Sequence, residues 1–192
     1  MRSMRRAVVW SIVYLGAYIV ASSLDLWTTE IALRTTRASE GNVFATDRGA
    51  YAAAKAWAIT GIGAAIMVAC VVFSALNAGK VATIWLEHPV RSFAKPYIFP
   101  WSGSVIDRSP LHLLCFAIAF VVLRLVAAGN NLTIRAVGVA PLGSFVKGVA
   151  ARTSPIMGLL LVIGTLYVLL AIALSPFAAR LIGAGRPPIV DH

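Results

Sequence analysis

The chain has 192 residues, 59% of them hydrophobic and only 12% charged, with a formal net charge of +10 and a mean hydropathy of +0.84. Soluble domains run at about 45–50% apolar and about 25% charged. The composition therefore excludes an ordinary soluble domain and implies an all-α integral membrane protein, read as a single membrane domain over residues 1–192.

In chain order, four runs are long enough to cross a bilayer, which takes about 20 residues of helix. They lie at about 8–33, 51–76, 111–129 and 156–175. Only helices and closed barrels satisfy every backbone group in lipid. Runs of this length without period-two alternation are helices. The start, MRSMRRAVVWSIVYLGAYIVASS, has the basic, apolar, small-residue order of a secretory leader. Its apolar run continues past Ser23 through Leu24, Leu26, Trp27 and Ile31, so a retained first helix is expected.

The second run carries TGIGAA, with Gly61 and Ala65 four residues apart, a pattern that lets membrane helices approach closely. Tight packing is the expected use. Prolines punctuate the later boundaries: Pro110 before the third run, Ser154-Pro155 before the fourth and Pro176 after it. The 77–110 connection contains WLEHPVRSFAKPYIFPW, a Trp, Tyr, Phe and Pro mixture suited to an interfacial segment, and equally to docking on a partner. The acid-free 130–155 connection suits a short amphipathic or re-entrant piece.

Lysine and arginine counts near helix ends set orientation. With the N-terminus inside, nine basic residues fall inside and seven outside, and Arg5-Arg6 directly precedes the first helix. Both termini are expected in the cytoplasm of a bacterium, the chain being multi-pass in its inner membrane. Basic residues so placed meet lipid headgroups, making membrane lipids partners. No basic-aromatic patch or groove-reading motif accompanies them, so no nucleic acid is expected. Cys70, Cys115, His88, His112 and His192 show no metal-ligand spacing. No metal and no cofactor are expected.

The informative stretch is SSLDLWTTEIALR, residues 22–34. Helical spacing puts Tyr14, Tyr18, Ser22 (or Ala21), Asp25 and Thr29 on one stripe, with Thr28 at its edge. A polar stripe against lipid is costly, so this face should point into the bundle. Glu30 faces elsewhere, toward the headgroups. If the third helix runs from inside to outside, Arg124 lies about five residues before its exit, roughly 7–8 Å. Lys55, Asn130 and Asn131 fall in the same leaflet. The Asp25 carboxylate then needs a cation, with Arg124 the first candidate and Lys55 the second. Three uses remain open: an ion pair that fixes helix register, a polar site for a small ligand, lipid headgroup or proton, and headgroup exposure of Arg124 and Lys55 by snorkelling.

The order LDLWTTEIAL, then Ser39-Glu40-Gly41-Asn42, then an early Lys55, then Asn130-Asn131-Leu132, resembles a family of small uncharacterised bacterial multi-helix membrane proteins. That family's pattern is an Asp in helix one, a following Glu-x-Asn-Pro, a Lys in helix two and an Asn closing the next helix. The resemblance covers about the first 132 residues, with 77–110 as an insertion and helix four outside it; Val43 stands where the family has proline. No biochemical activity attaches to the family. The resemblance implies that Asp25, Glu40, Asn42, Lys55 and Asn131 form one site.

No phosphate-cradling loop, nucleophile elbow or His-Glu-x-x-His motif is present. Small size, absent catalytic motifs and long aromatic-basic connections lead to one expectation: a non-catalytic accessory or assembly subunit docked on a larger inner-membrane complex. The alternative is a small-molecule or lipid-binding protein, or transporter component, using the Asp25 and Arg124 cluster. A membrane enzyme using Asp25 or Glu30 as acid or base is a third class.

Overall fold

The computed structural model describes residues 2–35, 50–98, 107–138 and 140–184. Among them every element is helical: α1 (Arg2–Thr35), α2 (Ala50–Asn77), a 3-10 turn (Ala78–Lys80), α3 (Thr83–Glu87), α4 (Pro89–Ile98), α5 (Ser109–Val137), α6 (Pro141–Ala150), α7 (Pro155–Ala173) and α8 (Ser175–Ala184). Four of these, α1, α2, α5 and α7, are long and apolar enough to cross a membrane. They coincide with the four runs seen in the sequence. The third is longer than its apolar run, so Asn130 and Asn131 lie inside α5 instead of closing it.

Three helix boundaries have a visible local cause. Ser154 caps α7 by accepting the Met157 N–H at 3.2 Å, and Pro155 takes the first helical position, where no amide donor is needed. Gly138, at φ +73°, ends α5 with its N–H on the Ile134 carbonyl at 2.9 Å, a left-handed stop that a side chain would strain. Pro176 lacks the N–H that would reach the Ile172 carbonyl four residues earlier. The Ser175 hydroxyl donates to that carbonyl instead, at 2.7 Å, and the chain breaks there between α7 and α8.

The chain forms two compact units. The first comprises Met1–Leu15, Ile66–Ala119 and Leu169–His192. Within it α3 packs on α4 and α8, and α4 on α8. The Ala82 N–H donates to the Asp107 carbonyl at 3.0 Å, tying the approach to α3 to that of α5. Trp85 and Phe93, expected at an interfacial or docking surface, are buried with Leu111, Leu114, Cys115 and Ile182. Phe93 stacks on His112 with ring centroids 4.2 Å apart. The Ser92 hydroxyl donates to the Pro89 carbonyl at 2.6 Å and lies 2.9 Å from His112 Nε2. Trp85 of α3 and Phe93 of α4 thus face their own unit.

The second unit comprises Gly16–Ala65 and Phe120–Val168. Gly63 lets α2 approach α1: an added Cβ would stand 3.0 Å from the Tyr18 hydroxyl. Gly158 is tighter, since a Cβ would meet the backbone N and Cα of Ala150 at 2.7 Å. Gly61 has nothing within 4 Å, and Ala65 is exposed. The expectation of tight packing at that pair is not met within the fold; the stripe faces outward. The reason is rotational, because Tyr18 meets Gly63, two positions (about 200° of helix) from Gly61.

Gly158→Ala should cost roughly 1–3 kcal/mol, because backbone cannot rotate out of the way as a side chain can. Gly164→Ala, with nothing within 4 Å of the added Cβ, should be neutral or stabilise by up to about 1 kcal/mol through helix propensity. Thermal unfolding of both variants in one detergent checks the contrast; equal effects would remove the assigned role of the Gly158 contact.

Candidate functional site

The polar residues of α1 emerge from helical spacing alone. Tyr18, Ser22, Asp25 and Thr28 are buried, and Thr29 is half-buried. Thr28, expected at the edge of the stripe, is only 2% exposed. Its hydroxyl donates back along its own helix, to the Leu24 and Asp25 carbonyls at 2.8 and 3.1 Å. A threonine that satisfies itself in this way can be buried without an outside partner.

Asp25 meets Arg124 directly. The arginine Nη1 donates to the carboxylate Oδ2 at 2.8 Å, with side chains 13% and 22% exposed for Asp25 and Arg124. The guanidinium carbon lies 5.6 Å from the Phe120 ring centre. Phe120 in turn stacks on Tyr18 at 5.8 Å and meets the edge of Tyr167 at 6.0 Å. Aromatic faces attract cations. Arg124 is therefore held by a carboxylate and a ring at once. Tyr18 completes the wall by donating its hydroxyl to the Thr60 carbonyl of α2 at 2.8 Å.

A second tie joins the same helices. Asn131 Nδ2 donates to the Thr29 hydroxyl oxygen at 2.8 Å. Its neighbour Asn130 points elsewhere, as adjacent residues on a helix must. The Asn130 Oδ1 accepts the Leu142 N–H at 2.9 Å. The N-cap residue of α6, Ala140, offers no side-chain cap, so α5 supplies one.

Of the expected site residues, the structure therefore brings Asp25 to Arg124 and Thr29 to Asn131. Asn130 is directed to α6 and Thr28 to its own backbone. Glu30 is exposed and Lys55 half-buried near the start of α2. Glu40 and Asn42 lie outside the described residues, so the five-residue site implied by the family resemblance is not assembled from described side chains. Sequence reasoning missed Thr60 and Leu142, because each contributes a backbone group that carries no residue-type signal. It also missed the Ser92, Phe93 and His112 contacts, whose members are far apart in the chain and follow no motif. The described residues contain no group of three or more His, Cys, Asp or Glu placed to hold a metal ion.

Fold and site define a class: a helical protein with four potential membrane spans and a charged pair, a buried Asp25 on a half-buried Arg124, between two of its helices. The chain matches no protein-family model, no curated protein and no solved structure.

Either charge left alone by substitution is costly, so Asp25→Leu or Arg124→Leu should each destabilise by about 3 kcal/mol or more, whereas the double variant should lose far less than the sum. Asn131→Ala should cost only about 1 kcal/mol, the scale of interhelical hydrogen bonds in membranes. A double-mutant cycle by thermal unfolding in detergent measures both. Additive losses at 25 and 124 would show that the pair is not coupled.

Proposed function

We propose that the chain is a multi-pass protein of the bacterial inner membrane, with both termini cytoplasmic. It acts without catalysis of its own, as an accessory or assembly subunit of a larger membrane complex. The observation that carries this reading is the outward face of α2. Trp57, Gly61 and Ala65 recur every four residues and are all exposed, and Ile62 beside them is 63% exposed. Small residues so placed let a second helix approach closely, and a neighbouring aromatic adds contact area. An exposed face of this kind is open to a second helix. The Asp25 and Arg124 pair supports the same reading, since each group is used on the other.

Docking through the 77–110 connection now rests on fewer groups. Trp85 and Phe93 are buried, whereas Ile84, Val90 and Arg91 stay exposed.

Binding of a small molecule or lipid headgroup beside Asp25 is the second reading. Ser22 favours it: one turn before Asp25, it is fully buried, and its hydroxyl has no partner among the described residues.

Purification from native membranes in mild detergent tests the first reading. The protein should leave the column with a stoichiometric membrane partner. Gly61→Leu combined with Ala65→Leu should release it without changing the thermal midpoint of the freed chain, and Leu160→Ala on α7 should not. A stable, partner-free monomer before any substitution would sink the proposal. Asp25→Asn separates the second reading: it should leave folding intact and abolish ligand binding if the site is a binding site, and should weaken assembly if the pair is structural.

A further inference from the structure

The helix α6 has an unusual position. It follows α5 after three residues and precedes α7 after four. Connections of that length reach at most about 11 and 14 Å, even fully extended. The end of α5 and the start of α7 therefore confine α6 to their own level. Two contacts pin it there: the Asn130 side chain on its first turn and Gly158 of α7 against Ala150 at its end.

Helical spacing divides its surface. Leu142, Phe145, Val146 and Val149 fall on one side, and Ser144, Lys147 and Gly148 on the other. None of its residues is buried. Phe145 is 64% exposed, although it belongs to the apolar side. A phenylalanine held outward at the end of two apolar helices, uncovered among the described residues, suits an apolar neighbour outside the chain.

The local charge names that neighbour. No Asp or Glu occurs between Asp107 and Asp191. Around α6 the only formal charges in sequence are Arg135, Lys147 and Arg152. Lys147 and Arg152 are exposed. A helix with one apolar side, a polar side bearing Lys147, Arg152 just beyond its end and no acid matches a layer that is apolar below and anionic above. We propose that α6 lies in the headgroup layer of a bilayer containing anionic phospholipid. Phe145 enters the acyl boundary, and Lys147 and Arg152 engage lipid phosphates.

The test uses the full-length chain in nanodiscs of phosphatidylcholine with or without phosphatidylglycerol. An environment-sensitive fluorophore is attached through Phe145→Cys or, for comparison, Ser144→Cys, with Cys70→Ala and Cys115→Ala removing the native thiols. The probe at 145 should emit to the blue of the probe at 144. It should be quenched by lipid spin-labelled near the headgroup more strongly than by lipid labelled deep in the chain. On the chain with native cysteines, native mass spectrometry should show phosphatidylglycerol retained in preference to phosphatidylcholine. Lys147→Gln with Arg152→Gln should weaken that retention roughly tenfold or more, at about fivefold per charge. Equal emission at 144 and 145 would overturn the proposal. So would shielding of 145 that appears only with a co-purified protein, or lipid retention indifferent to the two charges.

Discussion

A carboxylate on the buried face of an apolar helix is costly without a cation, and the contact of Arg124 with Asp25 is the constraint on which the second unit turns. Taking both charges out of water carries a penalty that their attraction only partly offsets. The pair is therefore a poor source of net stability but a strong source of specificity. Any arrangement of α1 against α5 that separates them leaves a buried carboxylate and a half-buried guanidinium without counter-ions. The surroundings reinforce the choice: Phe120 lies 5.6 Å from the guanidinium, and Tyr18 stacks on Phe120 while bonded to the Thr60 carbonyl. A shift of α1 would disturb the charge pair, the ring stack and that hydrogen bond together.

The same logic governs the backbone. In an apolar surrounding every interrupted helix exposes carbonyls or amides, each costly to leave bare. Where Pro176 withdraws its amide, Ser175 supplies a hydroxyl; where α7 starts, Ser154 accepts an amide; where α6 has no cap of its own, Asn130 reaches over from α5. Small polar side chains thus stand where the chain turns. Their positions follow from backbone accounting, with no need for a ligand.

The spans were legible because length and composition determine them, and the Asp25 face because helical spacing does. The pairing was legible for a further reason. The chain has only seven acidic residues, none of them between Asp107 and Asp191. Arg124 could find a carboxylate only in the first 107 residues or at Asp191 near the C-terminus, and of those Asp25 is the one set deep inside an apolar run. The short helices were not legible. Trp85 and Phe93 look like headgroup residues by type. Their burial depends on α8 and on the ring of His112, which no local pattern announces. The outward turn of Gly61 was hidden too, because a small-residue repeat looks the same whether its partner is internal or external. The choice was made by Tyr18 meeting Gly63, a contact between residues 45 positions apart.

The two ties between α1 and α5 are unequal in a way that explains the residue types. Along α1, Asp25 and Thr29 are four residues apart, about 6 Å; along α5, Arg124 and Asn131 are seven apart, about 10.5 Å. Both spacings keep each pair on one face, and the shared order means that the helices run parallel here. The difference of about 4.5 Å must be absorbed by the side chains. Arginine is long enough to reach along the axis, whereas asparagine is short and bonds nearly level. A long residue at 124 and a short one at 131 therefore follow from the geometry. Together they fix both the rotation and the axial position of α1 against α5, which neither tie could do alone. With α5 held in this way, the other side of its Asn130-Asn131 pair can present a fixed acceptor to α6.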